Sequence, residues 1–223
     1  MFAAIAPRYD AANRVLTAGV DEAWRRRAVR ELAVRPGGSV LDLCTGTGDL
    51  AFHLIRSERK PQVTAVDFCE PMLAAARRRA GREDTGGRIT FTEADVLALP
   101  FEDRSFDGAT MGFSMRNVVD IGATLREIRR VLRPGARFVN LDVSKPKARV
   151  VRRAFQAYFY GLVPFVGGIV GGSPAAYRYL PQSLTNYPDA DALAGRFSDA
   201  GFEQVRVIRL AFGAIAIHIG VAP

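Results

Sequence analysis

The chain has 223 residues, 48% of them hydrophobic, and a formal net charge of +8. That length suits one α/β domain with an insertion, a size that buries roughly 70% of its unfolded surface and needs no covalent staple. Its two cysteines, Cys44 and Cys69, and its two histidines are too few for a disulfide scaffold or a Cys/His zinc cage, so a reduced intracellular protein without a metal centre is expected.

The opening MFAAIAPRYDAANR has no basic stretch leading into a long apolar core, and no run reaches the ~18 apolar residues of a spanning helix. The expected place is the cytoplasm, with peripheral contact at the inner membrane face left open. Arginines cluster at Arg25-Arg26-Arg27, Arg77-Arg78-Arg79, Arg129-Arg130 and Arg152-Arg153, and read first as solvated helix faces. They are not interleaved with aromatics, which speaks against a nucleic-acid partner. Attraction to an anionic membrane surface stays beside that reading.

In chain order, residues 1–35 read as helical turns, and Ser39–Leu43 as a short apolar strand running into a glycine-rich turn. Residues 49–57 form a helix with Asp49 in its first turn, where a carboxylate suits the helix dipole. Gln62–Asp67 is a second strand; Glu70-Pro71 opens a helix that Met72–Ala80 continues, with proline near its first position. Arg88–Glu93 and Phe106–Met111 are strands, and Ile121–Leu132 is a helix stopped by Pro134-Gly135 before a strand at Arg137–Val143. Residues 148–160 look helical, 161–174 are rich in Gly and Pro, and a helix at 189–200 ends at Gly201. Strands at Gln204–Leu210 and Ala214–Val221 close the chain. This alternation predicts a single α/β domain over residues 1–223 with parallel strands, helices on both faces and right-handed crossovers. The N-terminal helical segment, 1–35, and an inserted segment, 145–185, are expected to cover the carboxyl edge of the sheet, where such folds bind ligands.

The strongest local signal is Val40-Leu41-Asp42-Leu43-Cys44-Thr45-Gly46-Thr47-Gly48-Asp49. Gly46 and Gly48 allow a tight turn and close approach of backbone to a ligand. The same residues satisfy a loose dinucleotide pattern, Gly46-x-Gly48-x-x-Ala51 with Asp67 further on, so an NAD-dependent oxidoreductase competes. Asp42 tilts the choice. A buried carboxylate at a strand end needs a partner, and a cofactor bearing ammonium and sulfonium supplies one, whereas a pyrophosphate is repelled. Asp67 ends the next strand, placed for ribose hydroxyls, and Asp95 follows the third, placed for an adenine amine. Taken singly, each acid reads equally well as a turn or helix cap.

Four stretches carry a resemblance. They are Tyr9-Asp10-Ala11-Ala12-Asn13, Leu41 to Asp49, Leu99-Pro100-Phe101 running to Phe113-Ser114-Met115-Arg116-Asn117-Val118, and the pair Tyr177-Arg178-Tyr179-Leu180 with Ala216-Ile217-His218-Ile219-Gly220. Across nearly its whole length the chain resembles the ubiquinone/menaquinone biosynthesis C-methyltransferase family of class I S-adenosylmethionine-dependent methyltransferases. The resemblance implies a Rossmann-like, mostly parallel seven-stranded sheet flanked by helices, with the last strand antiparallel. It implies S-adenosylmethionine as cofactor and a polyprenylated quinol as acceptor, demethylmenaquinol or its ubiquinone-pathway benzoquinol counterpart. Cofactor contacts carried over are Thr47, Asp67, the pair Asp95-Val96 (often Asn-Ala in the family) and Gly112, where a serine is usual. Ser114 stands where a glycine is expected, as if the hydroxyl had moved two positions along.

A sulfonium methyl needs chiefly alignment, while the acceptor carbon becomes nucleophilic once a ring hydroxyl loses its proton. Arg116 is expected to stabilise that oxyanion and Asn117 to orient the ring; an arginine stays protonated and is no ordinary base. An ion pair with an acid such as Asp120 is the competing reading of Arg116. His218 suits proton transfer by its titration range, and a core histidine is the competing reading there. Tyr9, Tyr177 and Tyr179 are candidates for lining the acceptor pocket with Arg116, and each reads equally well as core packing. The apolar 161–172 stretch and an interfacial helix bearing Arg149, Arg152 and Arg153 suit a prenyl tail leaving toward a membrane. Methylation of another small molecule, a non-catalytic S-adenosylmethionine-binding scaffold and a homodimer are the remaining alternatives.

Overall fold

The computed structural model describes residues 14–163 and 183–223; Tyr9, Tyr177 and Tyr179 lie outside the described residues. Seven strands form one sheet in the order β3-β2-β1-β4-β5-β7-β6. They are β1 (Ser39–Leu43), β2 (Gln62–Asp67), β3 (Ile89–Glu93), β4 (Phe106–Gly112), β5 (Leu132–Val143), β6 (Glu203–Leu210) and β7 (Ile215–Val221). β1 to β5 pair in parallel, and β7 runs antiparallel to both β5 and β6. The helices are α1 (Asp21–Leu32), α2 (Asp49–Ile55), α3 (Glu70–Ala80), α4 (Ile121–Val131), α5 (Arg149–Gln156) and α6 (Ala190–Asp199).

Burial explains the strand pattern. Val40, Leu41 and Leu43 of β1 are fully buried, as a central parallel strand covered on both faces requires. At the far edge, β6 keeps Arg206 and Arg209 partly exposed, and charges on an edge strand deter pairing with another chain. Phe138 of β5 stacks on Phe197 of α6 at 5.3 Å between ring centroids, with Phe202 at 5.9 Å, so α6 is clamped over β5 and β7. Asp120 and Asp189 cap α4 and α6, their carboxylates accepting from Ala123 N–H and from Asp191 and Ala192 N–H.

The helix expected at Ile121–Leu132 ends at Val131, and β5 begins directly at Leu132. Pro134-Gly135 therefore interrupts a strand and not the end of a helix. Leu132 already pairs with Phe106, the register shifts before Arg137, and Gly135, at φ 78°, donates its N–H to Ala222. The predicted helix at 148–160 divides into α5 and a π turn, Ala157–Leu162.

The chain leaves β1 for β2 and β3 on one side and returns to β4 on the other. The sheet thus changes direction beside β1, which opens a crevice at the carboxyl ends of β1 and β4.

Candidate active site

Beyond β1 the chain turns through Cys44 and Gly46, both at positive φ, and enters α2 through Gly48 at φ 88°. A side chain at Gly48 would place its Cβ 2.9 Å from the Phe52 ring, so only glycine fits this approach. The loop is fastened from below. Gly46 N–H donates to Asp67 Oδ2 at 2.8 Å, and Thr45 N–H to Val66 O at 2.9 Å.

Asp42 is 1% exposed, with Thr45 Oγ1 and Thr110 Oγ1 donating to its two oxygens at 2.6 Å each. Burial pushes its carboxyl up to about 6, and the two hydroxyls offset only part of that rise. Asp67 lies buried at the end of β2, its other oxygen accepting from Cys69 N–H at 2.9 Å; burial raises its carboxyl too, against the pull of those backbone donors. Asp95 is exposed and accepts from Leu97 N–H in a local turn.

The three acids, with Gly46, Thr47, Val96 and Gly112, line one cavity of about 310 Å³. Gly48 is absent from its wall and acts by turning the chain. Asn117, in the 3-10 turn Met115–Asn117 after β4, closes the cavity with a buried Oδ1 that has no hydrogen-bond partner among the described residues. A side chain at Gly46 would enter open space on this wall. Carboxylates, a solitary amide acceptor and apolar walls fit a cationic adenosine derivative by the chemistry of their donors and acceptors.

Gly112 has a packing reason. A Cβ there would meet Leu50 Cδ1 at 2.5 Å, so the serine usual at this position needs Leu50 to move. Ser114, two residues on, also lines the cavity and donates its hydroxyl to Gly112 O at 3.0 Å.

A second cavity of about 310 Å³ adjoins the first, and Arg25 and Phe113 line both. Its walls are largely apolar, with Leu16 and Trp24 from the N-terminal segment and Phe155, Phe159 and Val163 from the helical stretch after β5. Its polar members include Thr17, Asp21, Arg25 and Arg116.

Arg116 pairs with Asp142 of β5 at 2.5 Å, the two side chains only 5% and 2% exposed. Asp120, the partner expected from sequence, instead caps α4. Arg25 departs from the solvated-arginine reading. It is 5% exposed, bonds Asp21 one helical turn earlier and reaches Asp49 at 3.1 Å. Sequence reasoning passed over Asp21, Arg25, Trp24, Phe155 and Phe159, although the i,i+4 spacing of Asp21 and Arg25 was a usable signal.

His218 is not brought to this site. It lies in β7, 2% exposed, with Nε2 2.8 Å from Ala190 O and its ring stacked on Phe197 at 5.7 Å; burial holds its imidazole below the ordinary range. It lines neither cavity, because β7 turns it toward α6. The expectation of a proton carrier at His218 is corrected to a packed core histidine.

Comparison with known proteins agrees with this geometry. The model of the ubiE/COQ5 methyltransferase family matches residues 1–222. The chain is 46% identical to the demethylmenaquinone methyltransferase of Thermus thermophilus, covering 100% of both chains. It is 43% identical to the enzyme of that name from Deinococcus radiodurans over 99% of this chain and 90% of the relative. Identity is 40% to the ubiquinone/menaquinone biosynthesis C-methyltransferase of Geobacter sulfurreducens, over 99% of this chain and 86% of that one. Among solved structures, an S-adenosylmethionine-dependent methyltransferase from Methanococcus maripaludis shares the fold at TM-score 0.70 and 18% identity, covering 98% of this chain and 92% of that one. The chain belongs to the ubiE/COQ5 methyltransferase family and is an S-adenosylmethionine-dependent methyltransferase.

Proposed function

We propose that the chain methylates a ring carbon of a polyprenylated quinol, converting demethylmenaquinol to menaquinol. The observation that carries this reading is the pair of adjoining cavities, one lined by carboxylates and the other apolar with charged groups on its wall, which share Arg25 and Phe113 in their linings. When bound, S-adenosylmethionine supplies a methyl group on a positively charged sulfur. Asp42, Gly46, Thr47, Asp67, Asp95, Val96 and Gly112 would hold it in the first cavity, which Asn117 also lines, whereas the second cavity, where Asn117 was expected to orient the acceptor ring, has Arg116 and not Asn117 on its wall.

The second cavity suits an amphiphile whose ring carries hydroxyls and whose tail is hydrocarbon. Arg116, neutralised by Asp142 and sheltered from water, presents a fixed positive group to the oxyanion that forms when a ring hydroxyl loses its proton. It stays protonated, so it holds charge and does not take the proton. Trp24, Phe155 and Phe159 keep water from the reacting carbon. Residues of 1–35 and 145–185 meet across this cavity, which supports one domain whose two flanking segments cover the acceptor end. An oxidoreductase is disfavoured by the four carboxylates, Asp42, Asp49, Asp67 and Asp95, that a pyrophosphate would meet.

The names of the relatives favour the naphthoquinol over the benzoquinol. Purified protein given each quinol with labelled methyl donor should transfer the label to demethylmenaquinol with the higher kcat/KM. Transfer to the benzoquinol alone, or to neither, overturns the assignment.

Among the described residues no helix is long and apolar enough to cross a membrane. In the segments that contribute to the second cavity, however, Val15, Val20, Val150, Tyr160 and Phe212 are exposed, Val150 by 81% and Phe212 by 89%. α5 has no buried residue and carries Arg149, Arg152 and Arg153. This surface suits the face of an anionic bilayer, from which a prenyl tail enters the cavity. Sedimentation with phosphatidylglycerol vesicles should carry the protein down at low salt, and reversing the three arginines to Glu should release it. Equal sedimentation with and without lipid removes the proposal.

A further inference from the structure

The first cavity is lined by four carboxylates and, among the described residues, one cation, Arg25. That imbalance suits a sulfonium and an ammonium, but the methionyl portion of the donor also ends in a carboxylate. A carboxylate buried beside four acids needs a positive partner. We infer that Arg25 binds the carboxylate of the donor's amino-acid portion. The inference rests on the S-adenosylmethionine reading of this cavity.

Position agrees with chemistry. Asp67 ends β2 and Asp95 follows β3, whereas Gly112 ends β4, with Phe113 and Ser114 after it, on the opposite side of β1. With ribose at Asp67 and adenine at Asp95, the amino-acid portion extends toward β4, where the first cavity meets the second. Arg25 stands at that junction, on a helix packed against β4, β5 and α2. Its side chain is 6% exposed, so water screens its charge little.

Arg25 is also held still. Asp21 bonds Nη1, Asp49 lies 3.1 Å from Nη2, and the guanidinium sits over the Phe113 ring at 5.4 Å. Thr17 Oγ1 donates to the other Asp21 oxygen at 2.7 Å, and Arg79 takes the other oxygen of Asp49 at 2.6 Å. A guanidinium has five N–H donors in a planar fork, so these two acids fix its plane and leave donors to spare. Phe113 is itself held at φ 57°, a left-handed conformation rare for a bulky residue, where it places its ring beneath the guanidinium at the junction.

The test compares two nucleosides by calorimetry on the full chain. S-adenosylhomocysteine carries the amino-acid carboxylate; 5′-methylthioadenosine lacks the whole amino-acid portion. Arg25→Gln should weaken S-adenosylhomocysteine about 10- to 100-fold, as loss of a hydrogen bond to a charged group does, while methylthioadenosine stays within about twofold. Equal losses for both, or an unchanged S-adenosylhomocysteine affinity, overturn the inference. Should Arg25→Gln fail to fold beside Asp21 and Asp49, Arg25→Lys keeps the charge, and decarboxylated S-adenosylmethionine provides the comparison. The ratio of affinities for intact and decarboxylated donor should shrink in the lysine variant, and an unchanged ratio refutes the role. Wild-type protein that binds neither nucleoside would instead refute the S-adenosylmethionine reading itself.

Discussion

Asp42→Asn should bind the methyl donor about 10- to 100-fold more weakly and yet unfold at a higher temperature at pH 7. The carboxyl of Asp42 is driven from its ordinary 3.8 to about 6 because it is fully buried and its partners Thr45 and Thr110 are neutral. A group raised in the folded state favours the fold while protonated, so its contribution is complete below pH 4 and disappears as pH rises through 6. Above that, the ionised carboxylate costs the empty protein ~3 kcal/mol. Asparagine has the same shape and can still bond both threonine hydroxyls, which turn to accept or donate. The stability gap between variant and wild type should therefore be near zero at pH 4 and full above pH 7, as urea melts across that range would show.

The same carboxylate should announce the donor's charge. A cation arriving beside Asp42 lowers its carboxyl, so binding near pH 6 should release about half a proton, and binding at pH 8 none. Calorimetry in buffers of different ionisation enthalpy reads that number directly. Proton release that is the same at both pH values, or a wild type more stable than Asp42→Asn at pH 7, would contradict the account of this residue.

Asp142→Ala should be the most destabilising of the site substitutions, by about 3–5 kcal/mol, because it takes away the carboxylate that neutralises a buried arginine. Asp142 also accepts from the backbone N–H of Arg116 at 3.3 Å and of Val143 at 2.8 Å, so the turn after β4 loses its anchor as well. Arg116→Ala leaves the opposite charge buried and should destabilise by a similar amount. Function separates from stability in the double variant Arg116→Met/Asp142→Leu, which should recover most of the lost stability in a urea melt while turnover stays about 10²- to 10³-fold down. Affinity for the donor should barely change, since Arg116 lines only the second cavity. Recovered turnover in the double variant would reduce Arg116 to a structural pair.

Both experiments turn on residues whose type was visible in sequence and whose partners were not. Asp42 was recognised from its place before the glycine loop; that Thr110, 68 positions away, would hold it could not be read, because the contact depends on β1 pairing with β4. Arg116 was singled out, and its neighbour Asp120 was the natural local guess. The ion pair goes to Asp142 because β4 and β5 are adjacent and the helix after Val118 uses Asp120 as its cap.

Periodicity and turn residues determined β1, β2, the glycine loop and the parallel order of the first half, since alternating buried strands and helices leave few ways to cover an apolar sheet. Local signals failed at Pro134-Gly135, where long-range pairing of Leu132 with Phe106 outweighs the helix-stop pattern. They failed also at His218, whose neighbours in space come from α6 and not from its own strand. The donor site was legible because strand ends and their turns sit close together in sequence. The acceptor cavity was largely hidden: α1, the turn after β4, the stretch after α5 and the start of β7 meet there only once the sheet has brought them together. Burial and charge pairing across that distance are properties of the packed chain, and they decide that Arg25 stands between the two cavities while its neighbour Arg26 faces water.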